Sequence, residues 1–135
     1  MNSTRHIVRI DRTPSASLTG LRRLSTASVS LSESTPWELL PIKVPARLTI
    51  SDKIEDSVRL HTAQLIFRTC EDVDSRERMV YRATCADGRQ YLIGTDERPY
   101  PITTVSKAHA DNMADNQLPE VTVSYTSAAK IPYIQ

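Results

Sequence analysis

The sequence predicts a mostly β protein: a single small β-sandwich or partly open barrel built on antiparallel meanders. Three observations carry that expectation. Apolar and polar residues alternate with period two in "IKVPARLTI", "ASVSLS" and "VTVSYT", the signature of strands with one face buried. Asp87-Gly88 sits between β-rich flanks, and an Asp-Gly pair favours a two-residue hairpin because both residues accept positive φ. The chain has 135 residues, one domain's worth, enough to bury roughly two thirds of its unfolded surface.

Taken in order, His6 to Asp11 forms a first strand. Residues 12–36 are rich in Ser and Thr and form an extended N-terminal arm or long loop around one short strand, with Ala27, Val29 and Leu31 opposite three serines. In Ile42 to Ile50 the even positions Ile42, Val44, Ala46, Leu48 and Ile50 are apolar. Pro45 places that strand at an edge or beside a break, because proline cannot donate to the ladder. From Val58 to Phe67 the phase slips: Val58 and Leu60 share one face, Ala63, Leu65 and Phe67 the other. A bulge near Thr62 reconciles the halves. A helix through "IEDSVRLHTAQLI" competes, and the strand is preferred because a meander follows: a charged loop, a strand from Met79 to Cys85, the Asp87-Gly88 turn and a strand from Gln90 to Thr95. Gly94 marks a bulge or a close backbone approach, and Pro99 and Pro101 stiffen the exit. Residues 103–118 form a polar insertion with a helical turn or two at Ala108 to Ala114. Val121, Val123 and Tyr125 share one face of a late strand, and "IPYI" closes the chain. Such long loops suggest interaction surfaces or disorder.

Apolar residues make up 39% of the chain, with one Phe and one Trp, so the core is aliphatic and thin. Part of the chain is therefore expected to find its cover on a neighbouring subunit or to stay loose. Seventeen basic and sixteen acidic residues intermix to a net charge of +1, which argues against a dedicated nucleic-acid surface. Thirteen of the basic residues are Arg, a bias that favours interfaces or reflects a GC-rich genome. There is no apolar h-region at the start and no run long enough to span a membrane. Cys70 and Cys85 fit neither a CxxC pair nor a zinc spacing. The expectation is a soluble protein made in the cytosol with free thiols. If the strands at 58–69 and 79–85 pair, Cys70 faces Met79 and Cys85 faces Gln64, so both act as small apolar residues.

Chemistry-bearing constellations are thin. His109, Asp111 and Asp115 fit no common ligand spacing, and the acidic Glu71, Asp72, Asp74 and Glu77 lack the glycine of a calcium loop. His6 and His61 lie in strands, remote from any G-x-S-x-G elbow. The lone glycine of "LIGTDERP" precedes prolines rather than the helix N-terminus that a phosphate loop needs. "RRLS", Arg22 to Ser25, is a four-residue match to a basophilic kinase site. No catalytic, cofactor-binding or metal-ligating residue is expected, and no cofactor.

The order of parts then carries the functional expectation. Asp87, Gly88, Tyr91, Leu92, Ile93, Gly94, Thr95 and Pro99 compose a hairpin signature, followed by Val121 to Ser127 and the ending Ile131-Pro132-Tyr133-Ile134. Over the last sixty or so residues this resembles small structural proteins of neck and tail gene clusters in phages and prophages of Bacteroidales bacteria. The resemblance implies a non-enzymatic virion component, an adaptor, completion or tube-type protein synthesised in the bacterial host cytoplasm. It implies a homo-oligomeric ring that contacts neighbouring virion proteins and passes DNA through its lumen without specific binding. Exposed sheet edges at Ile42–Ile50 and Val121–Thr126 suit such assembly. The interface residues expected are Trp37, Ile42, Val44, Pro45, Asp87, Gly88, Arg98, Pro99, Tyr100 and Tyr133. The alternative is a β scaffold that presents loops 71–78 and 102–118 to a sugar or protein, with Tyr100 and Tyr133 as stacking platforms and Tyr91 and Tyr125 turned inward.

Overall fold

The computed structural model describes residues 2–18, 20–25, 28–31, 35–70, 73, 76–95, 100–106 and 119–134, with Asn2, Ser3, Arg23, Val44 and Pro45 described by backbone alone. Eleven strands lie among them: β1 (Asn2–Pro14), β2 (Arg22–Arg23), β3 (Ser28–Ser30), β4 (Glu38–Leu40), β5 (Lys43–Glu55), β6 (Val58–Arg68), β7 (Met79–Cys85), β8 (Gln90–Ile93), β9 (Ile102–Ser106), β10 (Glu120–Ser127) and β11 (Tyr133–Ile134). Helix among the described residues is limited to one 3-10 turn, Ser15–Ser17. The strands form one open mixed sheet in the order β2-β3-β11-β8-β7-β1-β5-β6-β10-β9, with β4 beside β1. Only β11 and β3 run parallel.

β1 is the spine of this sheet. Its first half, Asn2 to Ile7, pairs with β5, and its second half, Ile7 to Pro14, pairs with β7. The register shifts between Ile7 and Arg9, leaving Val8 pushed outward and half exposed, as a bulge does when it bends a strand. Two wings result, β5-β6-β10-β9 and β7-β8-β11-β3-β2. Their inner faces share one apolar core: Ile7, Leu48, Leu65, Phe67, Val121 and Val123 from one side, Tyr81, Ala83 and Ile93 from the other. The Tyr81 hydroxyl of β7 lies 3.0 Å from the Thr103 hydroxyl of β9, joining strands five places apart in the sheet order.

The second wing is sandwiched on both faces. Val80 and Leu92 point away from the main core and pack with Leu18, Val29, Leu21, Leu31, Trp37 and Ile134. In the Ser/Thr-rich segment, Leu18, Leu21, Val29 and Leu31 therefore pack against the back of β7 and β8, where an extended arm or long loop was expected. Arg12, Thr13 and Pro14 belong to β1, Ser15 Oγ donates to the Thr95 carbonyl at 2.8 Å, and Leu18 and Val29 are buried. Apolar area removed from water, at about 25 cal/mol per Å², holds the segment down. On the same back face the buried Asp11 carboxylate meets Arg82 at 3.1 Å and Arg9 at 3.2 Å, a pairing that a carboxylate out of water requires.

Several expectations hold. Ala46, Leu48, Ala63, Leu65, Phe67, Val121, Val123 and Tyr125 are buried, and Tyr91 turns inward with them. Pro45 does sit at a break, since the β5–β6 register shifts between Lys43 and Arg47. Gly94 has φ 104°, and a Cβ there would lie 2.6 Å from Pro101 Cγ, a close backbone approach.

Others are corrected. β6 runs without a bulge at Thr62; the phase slips because Val58 and Leu60 lie beyond the core. β6 pairs with β5 and β10, and β7 with β1 and β8, so the meander is interrupted and Cys70 does not face Met79. Cys70 is exposed and Cys85 buried, both free. Strands β5 and β10 are interior, not edges; among the described residues the edge of that wing is β9, which occupies Ile102 to Ser106 where the polar insertion was expected to begin. The helical turns at Ala108 to Ala114 and the acidic-loop residues Glu71, Asp72 and Asp74 lie outside the described residues, as do His109, Asp111 and Asp115.

Candidate assembly surface

The β5–β6 hairpin outruns its neighbours. Pairing with β1 reaches Ser51 and pairing with β10 reaches His61, yet β5 and β6 continue through Asp52↔His61, Lys53↔Leu60, Ile54↔Arg59 and Glu55↔Val58. Among the described residues nothing else pairs with the last three of those rungs, since His61 still pairs with Ser127, so the ribbon projects by about three residue pairs, roughly 10 Å. Asp56 and Ser57 make the turn with φ 51° and 64°, the left-handed region that costs a non-glycine residue roughly 1–2 kcal/mol. Ile54 is 69% exposed and Val58 48%, on opposite faces of the ribbon. A two-stranded ribbon alone in water is marginal, and this one shows apolar side chains to solvent on both faces.

Its root is pinned. His61 is buried, and its Nδ1 lies 2.7 Å from Asp52 Oδ1. The hydrogen bond from His61, helped by Arg59 nearby, holds the Asp52 carboxyl below its ordinary value. The inner face of the hairpin thus changes from aliphatic packing at Ile50 and Ala63 to an acid-imidazole pair, then to the exposed Ile54.

Among the described residues nothing covers the outer face of the same wing. Register aligns Thr4, Thr49, Gln64, Ser124 and Ile102 in one row across five strands, and His6, Arg47, Ile66, Thr122 and Thr104 in the next. Hydroxyls meet across it, Thr4 to Thr49 at 3.4 Å and Thr62 to Thr126 at 3.2 Å. A cleft of 370 Å³ opens here, lined by Thr4, His6, Arg47, Ile66, Phe67, Arg68 and Glu120. Arg68 is paired with Glu120 at 3.3 Å. His6 and Arg47 are directly opposed, and neither makes an ion pair among the described residues, so Arg47 places a positive charge without an acidic partner among them over an Ile66 floor.

The sequence-predicted interface residues are not brought together. Trp37 is half-buried under the Arg82 guanidinium at 4.7 Å, Tyr100 under Arg78 at 4.7 Å and Tyr133 under Arg89 at 4.6 Å. One face of each ring is therefore occupied by an arginine of this chain, an attraction between cation and ring quadrupole, and is not offered to a ligand for stacking. Ile42 packs against the main core. Asp87 and Gly88 are exposed at the β7–β8 turn, where Asp87 Oδ1 accepts from the Arg89 N–H at 3.0 Å. Arg98 and Pro99 lie outside the described residues, and the side chains of Val44 and Pro45 are not described.

Two further groups are chemically quiet. Burial pushes the Cys85 thiol up, with Asp87 adding to it, so the sulfur stays protonated and poorly nucleophilic. Burial likewise raises the Tyr81 hydroxyl, against the opposing bond to Thr103. Among the described residues no three His, Cys, Asp or Glu side chains converge as a metal site, and no helix is long and apolar enough to cross a membrane.

Sequence reasoning missed the projecting hairpin, the edge strand β9 and the cleft. The phase slip at Val58 and Leu60 was the available signal for the first. Compared with protein-family models, curated proteins and solved structures, the chain matches none.

Proposed function

We propose that this chain is a structural subunit that acts by assembly with copies of itself and with neighbouring proteins, of the kind that builds the neck or tail of a phage virion, and that it performs no catalytic step. The observation that carries the reading is the β5–β6 hairpin, which runs past its own sheet with Ile54 and Val58 exposed. Water is a poor environment for that ribbon, and a neighbouring subunit is a good one. β9, the edge of its wing among the described residues, with Ile102 68% exposed, adds a second place where a strand of another chain can continue the ladder. The two wings, folded face to face over one core, make an open sandwich-like scaffold that holds both features rigidly. A near-zero net charge suits dense packing in a particle, and a lumen through which DNA passes without sticking. Native mass spectrometry across a concentration series tests the reading. A discrete ring-like multiple is expected; a monomer at every concentration, with no affinity for other virion proteins, would overturn it.

A further inference from the structure

We infer that the tip of the β5–β6 hairpin of one copy seats in the outer-face cleft of the next, with Asp56 opposite Arg47 and His6 and an apolar flank of the turn, Val58 or Ile54, against Ile66. This inference rests on the assembly reading and names its contact.

Charge is the first argument. Asp56 stands at the apex of the projecting turn, exposed and without an ion pair among the described residues. Its neighbour Glu55 already holds Lys53 at 3.3 Å. In the cleft, Glu120 is taken by Arg68, while Arg47 and His6 have no acidic partner among the described residues. The unmatched acid and the unmatched bases are thus on opposite ends of one hairpin. Complementary charges of this kind steer docking and set register.

Reach is the second. Arg47 and Asp56 lie nine residues apart on one extended run, about 31 Å at 3.4 Å per residue. A stiff ribbon cannot turn its apex back onto its own base, so the tip that fills this cleft must come from another molecule. Size is the third: 370 Å³ equals the space of roughly a dozen waters, enough for a two-residue turn and an aliphatic neighbour. A contact between tip and cleft joins two different surfaces. Such head-to-tail contacts close into rings or run on as filaments, and one copy presents both halves.

The test is a charge exchange in the full chain, read by native mass spectrometry and sedimentation. Arg47→Glu makes both cleft and tip acidic, and Asp56→Arg makes both basic; each should raise the concentration for half-assembly by about tenfold or more, as like charges brought face to face do. The double variant Arg47→Glu/Asp56→Arg restores complementarity with reversed sign and should recover assembly. Both side chains are exposed, and thermal unfolding of the singles at low concentration checks that the fold is intact. If the wild type assembles and both single variants assemble equally well, the tip-in-cleft contact is wrong while the assembly reading stands. Loss in the singles without rescue in the double overturns the pairing of these two sites. A wild type that stays monomeric overturns self-docking altogether.

Discussion

The β7–β8 hairpin turns through Ala86, Asp87 and Gly88 with only Gly88 at positive φ, whereas the β5–β6 hairpin turns through Asp56 and Ser57 with both residues there. In the first, the Gly88 N–H donates to the Cys85 carbonyl at 2.9 Å and the Cys85 N–H to the Arg89 carbonyl at 2.8 Å, a three-residue loop with glycine in the strained place rather than the two-residue Asp-Gly turn that the sequence suggests. Its strands are packed on both faces, by the main core and by the Ser/Thr-rich segment. The second hairpin has the costlier turn and the emptier surroundings. A favourable turn marks scaffold here, and an unfavourable one marks the element whose stabilisation must come from elsewhere. That contrast gives each hairpin a different expected response to mutation.

The largest difference is in packing. Leu92 is fully buried behind β8, so Leu92→Ala should cost about 2–5 kcal/mol through lost transfer energy and a cavity. Ile54→Ala, at the exposed tip, should change the stability of the unassembled chain by about 0.5 kcal/mol or less. Urea unfolding at low protein concentration measures both. An Ile54→Ala cost comparable to that of Leu92→Ala would mean that the tip is folded onto its own subunit, and the comparison would fail.

How far the sequence foretold this arrangement follows from what alternation can encode. Side chains in a strand point to opposite faces in turn, so the inward sets Ala46/Leu48, Ala63/Leu65/Phe67 and Val121/Val123/Tyr125 were readable from local pattern alone. Partner choice is not local. Nothing in "RHIVRIDR" says that Ile7 will face Ala46 on one side and Cys85 on the other; that is set by how the wings share a core. The Ser/Thr-rich segment looked unfit for burial because its apolar residues are spaced apart. Leu18 and Val29 need only reach a back face already lined by Val80 and Leu92. The candidate assembly surface was half legible. Val58 and Leu60 broke the inward phase because they leave the core, but the turn that sends them out contains no glycine, so it carried no turn signal. The cleft was invisible, since His6, Arg47 and Arg68 are unremarkable exposed positions until the register places them side by side.

The next contrast lies in the turns themselves. Gly88 has φ 93° and open space around it, so Gly88→Ala meets no neighbour and should lose about 1–2 kcal/mol from the left-handed backbone alone. Ser57→Gly should move the other way and stabilise the free chain by about 0.5–1 kcal/mol, since glycine removes the left-handed penalty while giving back part of it as chain entropy. Shifts in the urea midpoint at constant slope report both. A loss on Ser57→Gly would show that the serine side chain holds the turn by a contact of its own.

The smallest effect concerns the root of the projecting hairpin, and it has a definite sign. The bond from His61 holds the Asp52 carboxyl below its ordinary value, so the folded chain binds that proton less readily than the unfolded one. Such a group contributes stability that is present above the unfolded aspartate value and is lost as pH falls through the depressed folded value. Asp52 is partly exposed, and water screens its pairing, so the contribution is small. The stability difference between wild type and Asp52→Asn should therefore be constant near neutrality and vanish in strong acid, with amide protection of residues 52–60 falling along with it and that of the β7–β8 turn unchanged. A difference that persisted undiminished into strong acid would assign the role of Asp52 to packing rather than charge. The hairpin would then be held at its root as the rest of the sheet is held, and only its exposed tip, Ile54 to Val58, would lack packing within the described residues.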